Sequence, residues 1–137
     1  MKSNKLNQES ALKYIHGGNS LFTVINTLTT KRFTFKVKKH KTEDVHFVSV
    51  LTNPDVYEYI GFLKYSNFLH SNKSSISKDS QSVKVFSYIY QKLKQNTLPE
   101  FVEFWHEGVC GKCGRKLTVP DSIESGFGPE CIKRLKK

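Results

Sequence analysis

The chain has 137 residues, 37% of them hydrophobic, enough for one ordinary domain with a modest core and too few for two independent large ones. Its 22 Lys and Arg residues exceed its 12 Asp and Glu residues, and the resulting net charge of +10 directs attention to polyanions: nucleic acid, anionic lipid or an acidic protein surface. No stretch approaches the ~18 consecutive apolar residues of a membrane span, and the N-terminus lacks an apolar signal core, so the expectation is a cytoplasmic protein without membrane association.

In chain order, residues 1–18 read as a polar tail or short helix ending in Gly17-Gly18. From Ser20 the pattern changes to alternation over 20–26 and 32–39, the period of half-buried strands. In the second run Phe33, Phe35 and Val37 face one way, and Thr34, Lys36 and Lys38 face the other. "VHFVSVL" (45–51) is apolar on both faces and predicts a central strand. A turn at Asn53-Pro54-Asp55 leads to a fourth strand over 57–65, and turns this short favour an antiparallel meander. Residues 66–82 read as a polar connection. A helix follows, with Val83, Phe86, Ile89, Tyr90 and Leu93 on one face and Asp79 or Ser80 as its cap. "LPEFVEFW" (98–105) predicts a further strand. The expected fold is α+β: an antiparallel β-meander sheet packed with one main helix over residues 19–105, followed by a module over 106–137.

That last module holds all three cysteines of the chain. With no secretion signal and an odd count, metal binding is favoured over disulfides. Cys110 and Cys113 form a C-x-x-C knuckle, with Gly111 and Gly114 allowing tight backbone and freeing N–H groups to donate to thiolates. Gly128-Pro129 predicts a helix start, which places Cys131 in a first turn where the helix dipole favours a thiolate. "KLTVP" (116–120) reads as a short strand between them. Knuckle, strand and a ligand on a first helical turn make up the treble-clef plan of a structural zinc site. For the fourth ligand the spacing favours His106, with Asp121, Glu130 or a water as alternatives. The deaminase pattern is not met, because Glu107 directly follows His106 and no proline precedes Cys110. The expected Zn²⁺ is therefore structural, and no catalytic grouping stands out along the chain, which predicts a non-enzyme.

The segment "CGKCGRKLTVPDSIESGFGPEC" resembles an uncharacterised small zinc-finger family of phage, prophage and plasmid proteins, with the pattern C-x-x-C-G-R-x-L, a Ser-Ile pair, then G-x-G-P-x-C. Cys110, Cys113, Gly114, Arg115, Leu117, Ser122, Ile123, Gly126, Gly128, Pro129 and Cys131 fit it, and the likeness extends more loosely over residues 17–134. The resemblance implies zinc binding and a mobile-element setting, and no particular activity.

Charge suggests where a partner binds. Residues 31–41 carry six Lys and Arg and no acid. On a strand, Arg32, Lys36 and Lys38 form a stripe able to follow a phosphate backbone, with Tyr57, Tyr59 and Tyr65 as candidate stacking surfaces. Arg115, Lys133 and Arg134 form a second basic spot near the metal. Two functions remain open at this point. One is a zinc-stabilised nucleic-acid-binding protein. The other is an effector that binds an acidic surface on a host protein, such as a defence nuclease, in the manner of anti-CRISPR or anti-restriction proteins.

Overall fold

A computed structural model of the chain describes residues 4–118, 120–128 and 131. The elements in order are β1 (Lys5–Leu6), α1 (Gln8–Ile15), β2 (Asn19–Asn26), β3 (Arg32–Lys39), β4 (His46–Asn53), β5 (Val56–Lys64), β6 (Asn67–His70), α2 (Gln81–Gln95), β7 (Val102–His106) and α3 (Pro120–Ser125). The strands form one seven-stranded antiparallel sheet in the order β1-β7-β2-β3-β4-β5-β6. Strands β2 to β6 are the meander that short turns predict. β7 returns after α2 to pair with β2, and β1 closes that edge. The class is α+β.

Two strands have no counterpart in the sequence expectations. β6 lies inside the segment read as a polar connection. Tyr65 and Ser66, the turn before it, both adopt positive φ (53° and 61°), the backbone of a two-residue hairpin, with neither glycine nor asparagine to announce it. β1 is two residues long and owes its existence to its partner β7, through Lys5 opposite Trp105 and Leu6 opposite Phe104.

The inner face of the sheet carries the core. Phe22 stacks on Phe104 with ring centroids 4.3 Å apart. Phe35 meets Phe86 of α2 at 5.1 Å, and Phe86 also meets Phe68 of β6 at 4.8 Å. α2 therefore crosses the meander as its periodicity requires, with Ser80 at the N-cap position and Asn96 in the left-handed conformation at its C-terminal end. α1 packs on the same face, its Tyr14 ring lying edge-on to Phe22 and Phe104. One buried cluster joins Leu6, Tyr14 and Ile15 to the meander and to Cys110, Leu117 and Phe127. No helix among the described residues is long and apolar enough to cross a membrane.

Between α1, α2 and β4 lies a pair of histidines. His16 Nε2 is 2.9 Å from the Tyr90 hydroxyl, and its ring centroid is 5.3 Å from that of buried His46. Burial, then the charge of His46, lowers the pKa of His16, with Asp44 opposing. Burial also lowers His46, against the hydrogen bond to the His16 backbone, with Lys39 adding to the lowering. Both folded values lie below the unfolded one. Stability is thus fully present above about pH 6.5 and is lost as pH falls toward the folded values, because the unfolded chain takes up these protons first. Urea midpoints measured between about pH 7 and pH 5 should fall with pH, and His46→Gln should flatten that slope; an unchanged slope in the variant would exclude the pair as its source.

Candidate metal centre

The site grows from the end of β7. After His106 the chain leaves the sheet through Gly108 (φ 85°) and doubles back as a small hairpin. Val109 bridges Lys116, Cys110 N–H donates to the Arg115 carbonyl (2.8 Å), and Leu117 N–H donates to Gly108 (2.8 Å). At its tip, Gly114 N–H donates to the Cys110 carbonyl (2.9 Å), with Gly114 at φ 79°. The knuckle curls as the C-x-x-C spacing requires. Cys110 Sγ accepts N–H bonds from Lys112 (3.4 Å), Cys113 (3.5 Å) and Gly128 (3.3 Å). Of the short strand expected over 116–120, the described residues show the single bridge at Lys116, and the helix α3 begins at Pro120. The predicted helix after Gly128-Pro129 falls almost wholly outside the described residues, although Cys131 itself is helical.

Cys110, Cys113 and Cys131 converge, their sulfur atoms all within 4.8 Å of one another. Three thiolates around a tetrahedral ion with metal–sulfur bonds of about 2.3 Å sit roughly 3.8 Å apart, so a contraction of about 1 Å or less closes the site. Cys110 and Cys131 are buried and Cys113 is exposed. Burial raises the Cys110 thiol, but the donors from Cys113, Gly128 and Lys112 together outweigh it and bring its pKa down to about 7. Cys131 goes the opposite way from the lowering that a helix start predicts: burial, then the neighbouring Cys110 and Cys113, raises it to about 11. Sulfurs this close cannot all be anionic unless a cation neutralises them, and a bound ion reverses that repulsion. The donor set fits a thiophilic metal.

The expectation that His106 supplies the fourth ligand is not met. His106 is fully buried on the inner face, its Nε2 bonded to the Ile123 carbonyl and its Nδ1 accepting from Gly108 N–H (3.0 Å). Both ring nitrogens are therefore used in tying β7 to α3 and the hairpin, and neither is offered to the sulfurs. No other histidine or carboxylate among the described residues joins the group. Asp121 is exposed on α3, and Glu130 is outside the described residues.

What the sequence did not reveal is the brace under this module. The Tyr14 hydroxyl donates to the Val109 carbonyl (2.8 Å) and contacts Leu21 O (3.1 Å). Its ring leaves room only for glycine at two positions: a Cβ on Gly111 or on Gly126 would lie 2.7 Å from Tyr14 Cδ1. Asn19 ties the knuckle to the start of β2, its N–H donating to Gly111 O (2.7 Å) and its Nδ2 to Lys112 O (2.7 Å). Nothing about Tyr14 in the sequence distinguishes it from any other aromatic residue of an amphipathic helix.

The remaining predicted residues lie elsewhere. Arg32, Lys36 and Lys38 are exposed along β3, and Arg115 is exposed on the hairpin. Asn19 is the register partner of Lys38, so the knuckle adjoins the Lys38 end of the stripe. Lys133 and Arg134 are outside the described residues. Tyr57 and Tyr59 are half-buried and Tyr65 is exposed at the β5–β6 turn.

In comparisons with known proteins, the model of a family of unknown function (DUF6011) matches residues 103–136, which takes in most of β7 and all three cysteines and covers roughly a quarter of the chain. No curated protein and no solved structure matches.

The Tyr14 brace is testable apart from the cysteines. Gly111→Ala forces a methyl into that ring and should destabilise the fold by about 1–3 kcal/mol in chemical denaturation, with faster loss of bound metal to a chelator. Wild-type stability and metal retention in this variant would show that the ring does not set the position of the knuckle.

Proposed function

We propose that this chain is a nucleic-acid-binding protein whose C-terminal module is stapled by a structural zinc ion held by Cys110, Cys113 and Cys131. The observation that carries the binding reading is the row of exposed cations along β3, Arg32, Lys36 and Lys38, on a sheet face that no described element covers. Alternation puts these three on one side of the strand, so they follow a phosphate backbone as a line. Arg115 adds a further exposed cation on the hairpin.

Zinc is the reading that best suits a cluster of cysteines in a reducing compartment. The metal has a shaping role here. It gathers a hairpin and a short helix that have few apolar residues of their own, and thereby contributes folding free energy. The reading is of a binding protein.

The alternative, an effector docking on an acidic host protein, draws on the same cations and on the exposed apolar side chains Phe47 and Leu69. Ionic strength separates electrostatic binding of nucleic acid from apolar docking. With about four phosphate contacts, a fourfold rise in salt should weaken binding to an oligonucleotide roughly 50- to 150-fold by counterion release, and Lys36→Gln with Lys38→Gln should make that dependence shallower. Affinity that stays flat with salt would reject the reading.

A further inference from the structure

The outer face of the sheet carries more than charge. Strand alternation and register place Phe47 opposite Lys38 and Phe62, Ser49 opposite Lys36 and Tyr59, and Leu51 opposite Tyr57. The same alternation puts Trp105, opposite Thr23 and Lys5, on this face. α1 and α2 reach the opposite face through Tyr14 and Phe86, and α3 reaches His106 there. The described helices lie on the opposite face, and on this one the His40 ring meets Phe47 with centroids 5.8 Å apart. β4 is central as its apolar faces predict, between β3 and β5, and its outward Phe47 is 38% exposed.

Aromatic rings and cations alternate across this surface. Lys36 Nζ lies 5.4 Å above the Tyr57 ring, and Phe47 and Tyr59 stand 6.0 Å apart at 68°. The acids on the face are already engaged. Glu107 accepts from Thr23 Oγ1 (2.8 Å), and Glu103 accepts from Lys5 Nζ (3.1 Å) and Trp105 Nε1 (3.2 Å). With Glu103 paired to Lys5, the cations Arg32, Lys36 and Lys38 outnumber Glu107, and the net charge between the rings is positive.

Building on the nucleic-acid reading above, we propose that this open face binds single-stranded nucleic acid, with unpaired bases stacking on Phe47, Tyr57 and their neighbours while Arg32, Lys36 and Lys38 follow the phosphates. Exposed rings offer their faces to any base that is not already stacked, whatever its identity. In a duplex those base faces are occupied. The sheet also cannot enter a groove to reach base edges: from β2 to β6, at about 4.8 Å per strand, it is roughly 19 Å wide, against about 12 Å for the major groove. A duplex would touch only the cations and leave the rings idle.

The chain's single tryptophan, Trp105, lies on this face and reports on it without a label. The test titrates the metal-loaded full chain with a mixed-sequence single strand of about a dozen nucleotides, as DNA and as RNA, and with a duplex of equal length, by tryptophan quenching and anisotropy. The single strand should quench Trp105 and bind at least about tenfold more tightly than the duplex. Phe47→Ala and Tyr57→Leu should each weaken single-strand binding about tenfold and leave duplex binding nearly unchanged, whereas Lys36→Gln with Lys38→Gln should weaken both. Tyr57→Leu keeps the apolar bulk, and circular dichroism establishes that each variant is folded. Duplex binding as tight as single-strand binding, with no loss in Phe47→Ala, would overturn the single-strand inference and leave nucleic-acid binding in place. No salt-sensitive binding to any oligonucleotide, or a protein complex that survives nuclease and is lost in Phe47→Ala, would overturn both.

Discussion

The packing of Tyr14 between Gly111 and Gly126 is the constraint from which the rest of the arrangement follows. The ring belongs to α1, yet a Cβ at either glycine of the cysteine module would collide with it, and its hydroxyl bonds Val109 at the base of the hairpin. Its phenol is held well above its usual range, by burial first and then, against the Leu21 hydrogen bond, by the charges of Cys110 and Glu107. A neutral, wedged aromatic thus fixes the hairpin against the inner face. The fit demands that hairpin, α3 and the Cys131 segment arrive together, and the means of gathering them is the sulfur cluster. The aromatic wedge and the three converging sulfurs are two halves of one arrangement.

A consequence is the one-sidedness of the molecule. α1, α2 and the cysteine module all crowd onto the inner face. The outer face is left with the alternate residues of seven strands, among them rings that would ordinarily be hidden under a second layer. That open face carries Phe47 at 38% exposure, with the exposed cations Arg32, Lys36 and Lys38 beside it. The knuckle also reaches around the Asn19 corner toward Lys38, so the metal module and the open face are mechanically adjacent.

Much of this was legible in the sequence. The alternation of Phe33, Phe35 and Val37 with Thr34, Lys36 and Lys38 determines which side of β3 is wet, and α2 lies where Val83, Phe86, Ile89, Tyr90 and Leu93 put it. The sulfur convergence follows from knuckle spacing and the Gly114 turn. What escaped reading depends on contacts distant in sequence. β1 exists through β7, about a hundred positions away. β6 depends on a turn built from Tyr65 and Ser66, residues with no turn preference of their own. His106 has suitable ligand spacing, but its ring nitrogens are claimed by Ile123 and Gly108, contacts no spacing rule foresees. Periodicity distinguishes the two faces of β4 and β5 without saying which face is covered.

Cobalt(II) substitution tests most directly whether the three sulfurs grip one ion, because its absorption spectrum reports both ligand type and geometry. Replacing the native metal with cobalt(II) should give intense near-ultraviolet thiolate-to-metal charge transfer and the strong visible bands of a tetrahedral centre, both abolished in Cys131→Ser. A weak octahedral spectrum without thiolate bands, or bands that persist in Cys131→Ser, would contradict it.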